Sequence, residues 1–166
     1  MDSDLFSRCA ELIYREAAYL DEKRWDEWLS LYTEDAEFWV PAWNVEANPT
    51  SDPQSQLSLI YYDSRAGLED RIWRIQSGKS LASDPLIRTC HMITNLRRAG
   101  AAKEGHSCVK SHWQVYAYRP AQRRVSSYFG FYEHLLRRDS DGLRIAQKKI
   151  ILLNDEIETV LDINHV

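Results

Sequence analysis

The sequence predicts an α+β fold in which N-terminal helices pack on one face of a curved, mostly antiparallel sheet. Apolar residues recur with helical spacing up to Ile75, and after Ser83-Asp84-Pro85 the pattern is extended almost to the end. Helices followed by hairpin-linked strands are the order typical of an α+β domain. A chain of 166 residues is of single-domain size, so residues 1–166 are expected to form one domain. A sheet curled around such helices would enclose a cone-shaped cavity.

Three helices are predicted ahead of the sheet, because their apolar residues recur at steps of three and four. The first covers residues 5–20. The second presents a stripe of four apolar residues, and Asp21 is its candidate N-cap. The four residues of this stripe are Trp25, Trp28, Leu29 and Tyr32. The third helix is expected to point Leu68, Ile72 and Ile75 towards the core.

Six strands are predicted. A short strand at residues 38–40 ends at Pro41, since proline lacks the N–H that a sheet requires, and another is expected at residues 57–62. The connection between them, residues 42–56, is longer than an ordinary loop and is expected to be an interface arm. Gly130 is expected to form a bulge that curls the sheet. The four long strands are expected at residues 87–98, 106–118, 125–138 and 143–154.

Composition limits the partners and the compartment. The net charge of -4 provides no long-range attraction for nucleic acid. The sequence has no signal-peptide pattern and no run of about 18 apolar residues, so membrane insertion is not expected and the protein is placed in the cytoplasm. Cys9, Cys90 and Cys108 form neither a C-x-x-C motif nor a zinc spacing with histidine. They are expected to be reduced, buried thiols.

The sequence contains no motif for a metal, a nucleotide or a catalytic serine. A Rieske cluster needs paired short Cys/His motifs, and Cys90-His91 is an isolated adjacent pair. Histidine spacings typical of a non-haem iron site are missing from the sequence as well. G-x-G-x-x-G, Walker and G-x-S-x-G motifs do not occur. The chain is therefore predicted to hold no metal or cofactor and to contain no catalytic residues.

A cone-shaped cavity can host acid–base catalysis, so a free-standing isomerase or dehydratase is an alternative. His91 and His112 lie on separate predicted strands and could face one pocket, although one sequence does not fix strand register. A ligand-binding carrier domain is a third alternative. The candidate residues of the enzyme hypothesis are Asp35, Tyr61, Tyr62, His91, His112 and His134.

Ordered blocks of residues along most of the chain carry a family resemblance. The blocks of the first part are Tyr14-Arg15-Glu16-Ala17, Leu20-Asp21, Arg24-Trp25-Asp26-Glu27-Trp28-Leu29 and Phe38-Trp39-Val40-Pro41-Ala42-Trp43. Those that follow are Asp52-Pro53-Gln54-Ser55, Gly67-Leu68-Glu69-Asp70-Arg71, Arg74-Ile75, His91 with Asn95, Lys148-Lys149-Ile150-Ile151-Leu152, and Asn154-Asp155 with Asp162-Ile163. The chain resembles the small (beta) subunit of aromatic-ring-hydroxylating dioxygenases, in particular the benzoate, toluate and anthranilate type.

The resemblance implies a cone-shaped, NTF2-like (cystatin-like) fold and a non-catalytic structural role. It implies a large (alpha) subunit that carries a Rieske 2Fe-2S cluster and a mononuclear non-haem iron, with electrons delivered from NADH by a reductase. Large–small pairs would form a trimer, a heterohexamer in which the small subunit also meets other copies of itself. The implied reaction is the cis-dihydroxylation of a benzoate-like aromatic carboxylate in aromatic compound catabolism.

Aromatic and arginine side chains are the usual anchors of subunit interfaces. On that ground four residues are expected to include contacts with partner subunits. They are Trp39, Trp43, Arg65 and Arg71.

Overall fold

Helices and strands follow one another in the order that the sequence predicts. The computed structural model of the chain describes residues 3–77, 86–100, 105–140, 142–154, 157 and 160–166. The helices are α1 (Ser3–Glu22), α2 (Trp25–Ser30) and α3 (Arg65–Gln76), with a short 3-10 helix at Ile163–His165. The strands are β1 (Tyr32–Pro41), β2 (Ser58–Tyr62), β3 (Arg88–Arg98), β4 (His106–Arg119), β5 (Arg124–Asp139) and β6 (Gly142–Leu152). The α+β class is confirmed.

The six strands form one sheet in the order β2-β1-β6-β5-β4-β3. The β1–β6 pair is parallel, and the other four neighbouring pairs are antiparallel. Helix α1 packs against β3 and β6, and α3 packs against β1. The hydrophobic core lies between these helices and the sheet, as expected for a cone.

The side chains of β4 and β5 alternate between two environments. Every second residue of β4 from Ser107 to Arg119 is buried, and so is every second residue of β5 from Ser126 to Leu136. This period of two is the geometry of a strand with one face on a core. We call the buried side the inner face of the sheet and the opposite side the outer face. The inner residues of β4 include those predicted from the sequence, namely Val109, Trp113, Val115 and Ala117.

Strand β1 is longer than the sequence predicts. The expected residues 38–40 form only part of a strand that runs over Tyr32–Pro41. Tyr32, whose spacing suggested the second helix, instead begins β1 because α2 ends at Ser30. The adjacent exposed residues Glu34 and Asp35 interrupt the alternation of apolar and polar side chains that makes a strand recognisable.

Two further sequence expectations are wrong in detail. Asp21 does not cap α2, because it lies inside α1 and binds β3, while the N-cap position of α2 is occupied by Arg24. The cysteines are not uniformly buried: Cys9 is buried in the core, Cys90 is exposed and Cys108 is half-buried. The last two lie on the outer face of β3 and β4, where packing does not enclose them.

Gly130 allows a close backbone contact and does not form a bulge. The β4–β5 and β5–β6 ladders keep their register at Gly130, and the register shift instead falls between Leu135 and Leu136. A Cβ at position 130 would lie 1.8 Å from the carbonyl oxygen of Ile151. Glycine is therefore required by the approach of β6, so the expected bulge at this position is wrong.

Some sequence predictions lie beyond what the structure describes. The predicted turn Ser83-Asp84-Pro85 falls outside the described residues, as does Asp155. Among the described helices, none combines the length and apolar content needed to span a bilayer.

Candidate functional site

The interior of the cone contains a buried ion pair. The side chains of Glu16 on α1 and Lys148 on β6 are each 1% exposed, and Lys148 Nζ lies 3.0 and 3.1 Å from the two carboxylate oxygens of Glu16. Trp28 Nε1 and Tyr32 OH each donate a hydrogen bond of 2.8 Å to Glu16 Oε1. One carboxylate thus joins α1, α2, β1 and β6.

Charge and hydrogen bonding oppose the tendency of burial to neutralise this pair. Burial by itself would raise the pKa of Glu16, but the Lys148 charge and the donated hydrogen bonds outweigh it and lower that pKa. Burial lowers the pKa of Lys148, and the Glu16 carboxylate opposes this effect. The ammonium also lies 4.4 Å from the ring centroid of Tyr132, a cation–π contact. Both charges are engaged in holding the core together.

A row of aromatic and polar side chains continues from this pair along the inner face. His134 lies opposite Lys148 in the β5–β6 ladder, and burial followed by the Lys148 charge lowers the pKa of His134 to about 3. Tyr132 stacks on Trp113 with ring centroids 5.1 Å apart, and its ring lies 5.4 Å from that of His134. The side-chain polar atoms of Ser111, Trp113, Tyr132 and His134 have no hydrogen-bond partner among the described residues.

Residues 162–166 close the cone from the side of α3. All five residues of this segment are buried. Arg71 donates a hydrogen bond of 2.7 Å from Nε to Asp162 Oδ1, and a second from Nη2 to Asp162 Oδ2. The Asp162 side chain also accepts from Ile163 N at 2.8 Å, and His165 Nδ1 accepts from Asp162 N at 3.0 Å. The segment is therefore folded on itself and fastened to α3.

The same segment reaches the buried ion pair. The His165 ring lies 5.3 Å from the ring of Tyr128 on β5, and the Val166 carbonyl oxygen accepts a hydrogen bond of 3.5 Å from Lys148 Nζ. Ile163 and Val166 are part of the hydrophobic core. The interior in which the sequence predicts a cavity is thus occupied by the chain itself. Sequence reasoning did not assign this role, although Asp162-Ile163 was part of a family block.

His91 and His112 do not share a pocket. His91 pairs with Val115 in the β3–β4 ladder, an odd number of residues from His112, so the two rings lie on opposite faces of the sheet. His91 Nδ1 lies 2.6 Å from Asp21 Oδ1 on the inner side. His112 Nδ1 lies 2.8 Å from Asn95 Nδ2 on the outer side. The interpretation that both histidines could face one cavity is wrong.

The other candidates of the enzyme hypothesis are also dispersed. Asp35 is exposed and forms an ion pair with Arg137 at 2.7 Å, whose hydrogen bonds hold the pKa of Asp35 well below its usual range. Tyr61 donates to Glu37 at 3.2 Å on the outer face. Tyr62 packs towards the core. The structure does not bring Asp35, Tyr61 or Tyr62 near His134. The candidate residues therefore do not form an acid–base site.

The outer face presents a group of exposed aromatic and apolar side chains, which we call the outer aromatic patch. Its members are 38% to 45% exposed. They are Met92, Tyr116, Phe129 and Phe131. His112 meets Phe131 with ring centroids 5.0 Å apart, and the two border a shallow depression of about 440 Å³. Exposed apolar surface concentrated in one place is typical of a contact with another molecule.

Several charged side chains elsewhere on the outer face have partners within the chain. Lys110 forms an ion pair with Glu133 at 2.6 Å. Lys149 Nζ lies 4.4 Å from the ring centroid of Trp39, while Glu37 accepts a hydrogen bond from the side chain of Gln147. A neighbouring subunit would therefore meet several charged groups that already have contacts within the chain beside the outer aromatic patch.

The four residues predicted for interfaces occupy different environments. Trp39 is 4% exposed, and Arg71 is engaged with Asp162. Arg65 forms an ion pair with Glu69 at 2.8 Å. Trp43 is 40% exposed, and its Nε1 donates to the Leu152 carbonyl at 2.7 Å. Trp43 has the most exposed side chain of the four, and the interface role of all four stays a prediction.

The connection predicted to be an interface arm, residues 42–56, is tied by local hydrogen bonds. The Asn44 side chain accepts from the backbone N–H groups of Glu46 and Asn48, each at 3.0 Å. Gln56 Oε1 accepts from Ser51 N at 2.7 Å in the same way. Val45 is fully exposed at the tip. A pre-ordered loop with an exposed apolar tip loses little entropy when a partner binds it.

Grouped metal ligands are not found in the described part of the chain: no three His, Cys, Asp or Glu side chains converge there. The fold and its surfaces define a class of protein, a cone-shaped α+β domain with an occupied interior and an exposed aromatic outer face. The chain matches the family model described as "Ring hydroxylating beta subunit" over residues 15–159. The chain belongs to this family of dioxygenase small subunits.

Individual relatives agree with this assignment. The chain is 42% identical to the toluate 1,2-dioxygenase beta subunit of Pseudomonas putida over 94% of each chain. It is 35% identical to the benzoate 1,2-dioxygenase beta subunit of Acinetobacter baylyi, covering 100% of this chain and 96% of the relative. A solved benzoate 1,2-dioxygenase beta subunit from Burkholderia mallei superposes with a TM-score of 0.78 at 37% identity, over 96% of each chain.

A more distant structure confirms the fold alone. A putative scytalone dehydratase from Novosphingobium aromaticivorans, 12% identical, superposes with a TM-score of 0.65 over 93% of this chain and 90% of its own. The cone-shaped NTF2-like fold is thereby confirmed. The chain is a component of a dioxygenase enzyme that works with a large subunit, and the relatives support this interpretation over a free-standing isomerase or dehydratase.

Proposed function

We propose that this chain is the structural, non-catalytic small subunit of a Rieske-type dioxygenase that cis-dihydroxylates a benzoate-like aromatic carboxylate. Four relatives are named as subunits of toluate, benzoate, 2-halobenzoate and anthranilate 1,2-dioxygenases, and each name denotes benzoate or a substituted benzoate. In this proposal the large subunit carries the Rieske 2Fe-2S cluster and the mononuclear iron. A reductase supplies electrons from NADH, and the enzyme acts in the cytoplasm in aromatic compound catabolism.

The observation that carries the structural role is the occupied interior of the cone. An NTF2-like enzyme needs a cavity in which a substrate meets acid and base groups. Here Glu16 and Lys148 bind each other, and residues 162–166 pack beneath the inner face. The dispersed positions of His91 and His112 point the same way. We infer that the chain acts by assembly, as a single domain.

The outer face is the surface that we propose for contact with neighbouring subunits. The long edge strand β3 is poorly suited to pairing with another chain, because the Asp21 carboxylate accepts a hydrogen bond from His91 N at 2.8 Å on that edge. Edge strand β2, Ser58–Tyr62, is short. The outer aromatic patch lies next to the arm, since Trp43 binds Leu152 at the end of β6. The patch, together with Trp43 and Val45 of the arm, offers exposed apolar side chains for a contact.

The proposed assembly is a trimer of large–small pairs, in which small subunits also meet each other. The test is co-expression with a tagged large subunit encoded in the same pathway. The unmodified chain should co-purify in a fixed ratio. Phe131→Glu places a charge in the outer aromatic patch and should weaken association by about thirtyfold, the equivalent of ~2 kcal/mol at an interface hot spot.

Tyr14→Glu is the matched control, because Tyr14 is 50% exposed on α1, on the helical side of the molecule. It should leave the ratio unchanged. Equal co-purification of the Phe131→Glu and Tyr14→Glu variants would contradict the use of the outer face. Failure of the unmodified chain to associate at all would contradict the subunit role.

A second test concerns the iron. The isolated chain should contain less than stoichiometric iron by metal analysis and should oxidise no benzoate when given the reductase and NADH. The reconstituted complex should contain stoichiometric iron and should oxidise benzoate under the same conditions. Stoichiometric iron in the isolated chain would contradict a purely structural role.

A further inference from the structure

We propose that residues 162–166 act as an intramolecular plug, and that the cone beneath them is a latent binding site for a small neutral aromatic compound with one hydrogen-bonding group. This inference goes beyond the subunit role and does not depend on it. It rests on how the segment is held, on what lies under it and on the charge balance of the interior.

The 162–166 segment is a separable unit. Three of its hydrogen bonds join residues within the segment, namely Ile163 N to Asp162 Oδ1, Asp162 N to His165 Nδ1, and His165 N to the Asp162 carbonyl oxygen. Within the described residues, its polar contacts with the rest of the chain include the Arg71–Asp162 ion pair and the 3.5 Å bond from Lys148 Nζ to the Val166 carbonyl. A segment with internal hydrogen bonds keeps them when it swings out, so release requires loss of the Arg71–Asp162 ion pair, of the Lys148–Val166 hydrogen bond and of apolar packing.

Aromatic walls and unpartnered polar atoms lie in the same part of the interior. Tyr128 faces the His165 ring at 5.3 Å, and the Trp113–Tyr132 stack lies farther along the inner face. Trp113 Nε1 and Tyr132 OH are buried without a hydrogen-bond partner among the described residues, and so is His165 Nε2 in the plug. Buried polar groups of this kind favour any ligand that supplies the missing hydrogen bond.

The charge balance of the interior selects a neutral ligand. Lys148 is neutralised by Glu16 at 3.0 Å, and His134 is uncharged because burial disfavours its protonated form. Arg119, the other cation buried on the inner face among the described residues, donates hydrogen bonds to the hydroxyl groups of Ser126 and Tyr128. A carboxylate entering this space would therefore have to break a contact that Lys148 or Arg119 already makes. A planar ring with one N–H or O–H group fits the stacked walls and the free polar atoms, and indole has that chemistry.

The experiment loosens the plug in the full-length chain and measures indole binding. Arg71→Gln removes the ion pair to Asp162, and Arg65→Gln is the matched control, since Arg65 lies on the same helix and pairs with Glu69. In Arg71→Gln, amide hydrogen exchange in residues 162–166 should rise by about tenfold or more. Ligand-observed NMR should then show saturable binding of one equivalent of indole, and no saturation with benzoate.

The unmodified chain and Arg65→Gln should show neither the faster exchange nor the saturable binding. Adding Tyr132→Leu to Arg71→Gln should weaken indole binding, which places the ligand on the inner face. If Arg71→Gln loses its cooperative thermal transition, the double variant Ile163→Ser/Val166→Ser decides instead, because it weakens the apolar docking and keeps the ion pair. Faster exchange without indole binding, equal binding by the unmodified chain, or equal binding of benzoate would each overturn the proposal.

Discussion

At the scale of single residues, Lys148 and Lys149 are neighbours in β6 with opposite environments. Lys148 is fully buried against Glu16, whereas Lys149 lies over the Trp39 ring on the outer face. Lys148→Met leaves the Glu16 carboxylate buried without its cation, so the free energy of unfolding should fall by about 3–5 kcal/mol. Lys149→Met, the control, loses one cation–π contact and should cost about 0.5–1 kcal/mol. Denaturant unfolding measures both, and equal losses would show that the buried pair is unimportant.

His134 gives a second residue-scale prediction, a dependence of stability on pH. Its pKa is about 3 in the folded chain because burial disfavours the charged ring, whereas an unfolded histidine titrates near its ordinary value of 6.5. Between those values the unfolded chain binds a proton that the folded chain does not, so stability falls as pH drops from about 6.5 towards 3, by up to ~1.4 kcal/mol per pH unit. In His134→Gln this contribution should disappear.

The measurement is denaturant unfolding at several pH values between 4 and 7, in roughly unit steps. The free energy of unfolding of His134→Gln is subtracted from that of the unmodified chain at each pH. This difference separates the contribution of His134 from that of the carboxylates that titrate in the same range. His112→Gln, on the outer face, serves as the control. A pH profile that is the same with and without His134 would rule out the buried neutral ring as its source.

At the scale of elements, the sequence predicted best where one face of a strand or helix meets the core. The alternation in β4 and the helical spacing in α1 each reflect a single buried face, and both were found as predicted. Prediction from the sequence failed where contacts with residues distant in the chain determine the structure. The parallel pairing of β1 with β6, the opposite faces of His91 and His112, and the close approach at Gly130 depend on strands distant in sequence. Local periodicity carries no information about those neighbours.

Asp21 provides the prediction at this scale, because it joins the end of α1 to the edge strand β3. Its carboxylate accepts hydrogen bonds from Thr89 Oγ1 at 2.7 Å and from His91 N at 2.8 Å, and it contacts His91 Nδ1. Asp21→Ala should lower the free energy of unfolding by about 1–2 kcal/mol, since it leaves half-buried donors unpaired. It should also speed amide exchange at His91. The exposed Asp26→Ala is the control, and a similar loss in both variants would refute a specific tie.

The contact between Asp21 and strand β3 should also depend on pH. Burial alone would raise the pKa of Asp21, but the hydrogen bonds and charge of His91 outweigh it and lower that pKa. A carboxylate with a lowered pKa in the folded state stabilises the fold above its ordinary titration range, and the contribution is lost as pH falls through the folded value. Acid should therefore weaken the α1–β3 contact as pH falls through the folded-state pKa of Asp21.

At the scale of the whole molecule, the occupied interior and the aromatic outer face fit the proposed division of labour. In that proposal this chain holds the large subunits in position, and the large subunits carry out the reaction. If the chain only holds large subunits in position, exchanging it for a related small subunit should leave substrate preference unchanged. The Pseudomonas putida toluate 1,2-dioxygenase beta subunit, 42% identical, is a suitable replacement. In such a hybrid the ratio of kcat/KM for benzoate over 3-methylbenzoate should change by less than about threefold, equivalent to ~0.7 kcal/mol in relative barrier height.

Total activity of the hybrid is expected to follow assembly, because the outer aromatic patch must fit a partner surface that differs in sequence. The fraction of assembled complex is measured by size-exclusion chromatography. Dividing the activity by this fraction separates a loss of assembly from a change in the activity of the assembled enzyme. A tenfold shift in the substrate ratio at equal assembly would mean that the small subunit shapes the substrate pocket. Because the interior ion pair Glu16–Lys148 and residues 162–166 leave no described route for a substrate into this chain, we expect the ratio to stay constant while yield varies.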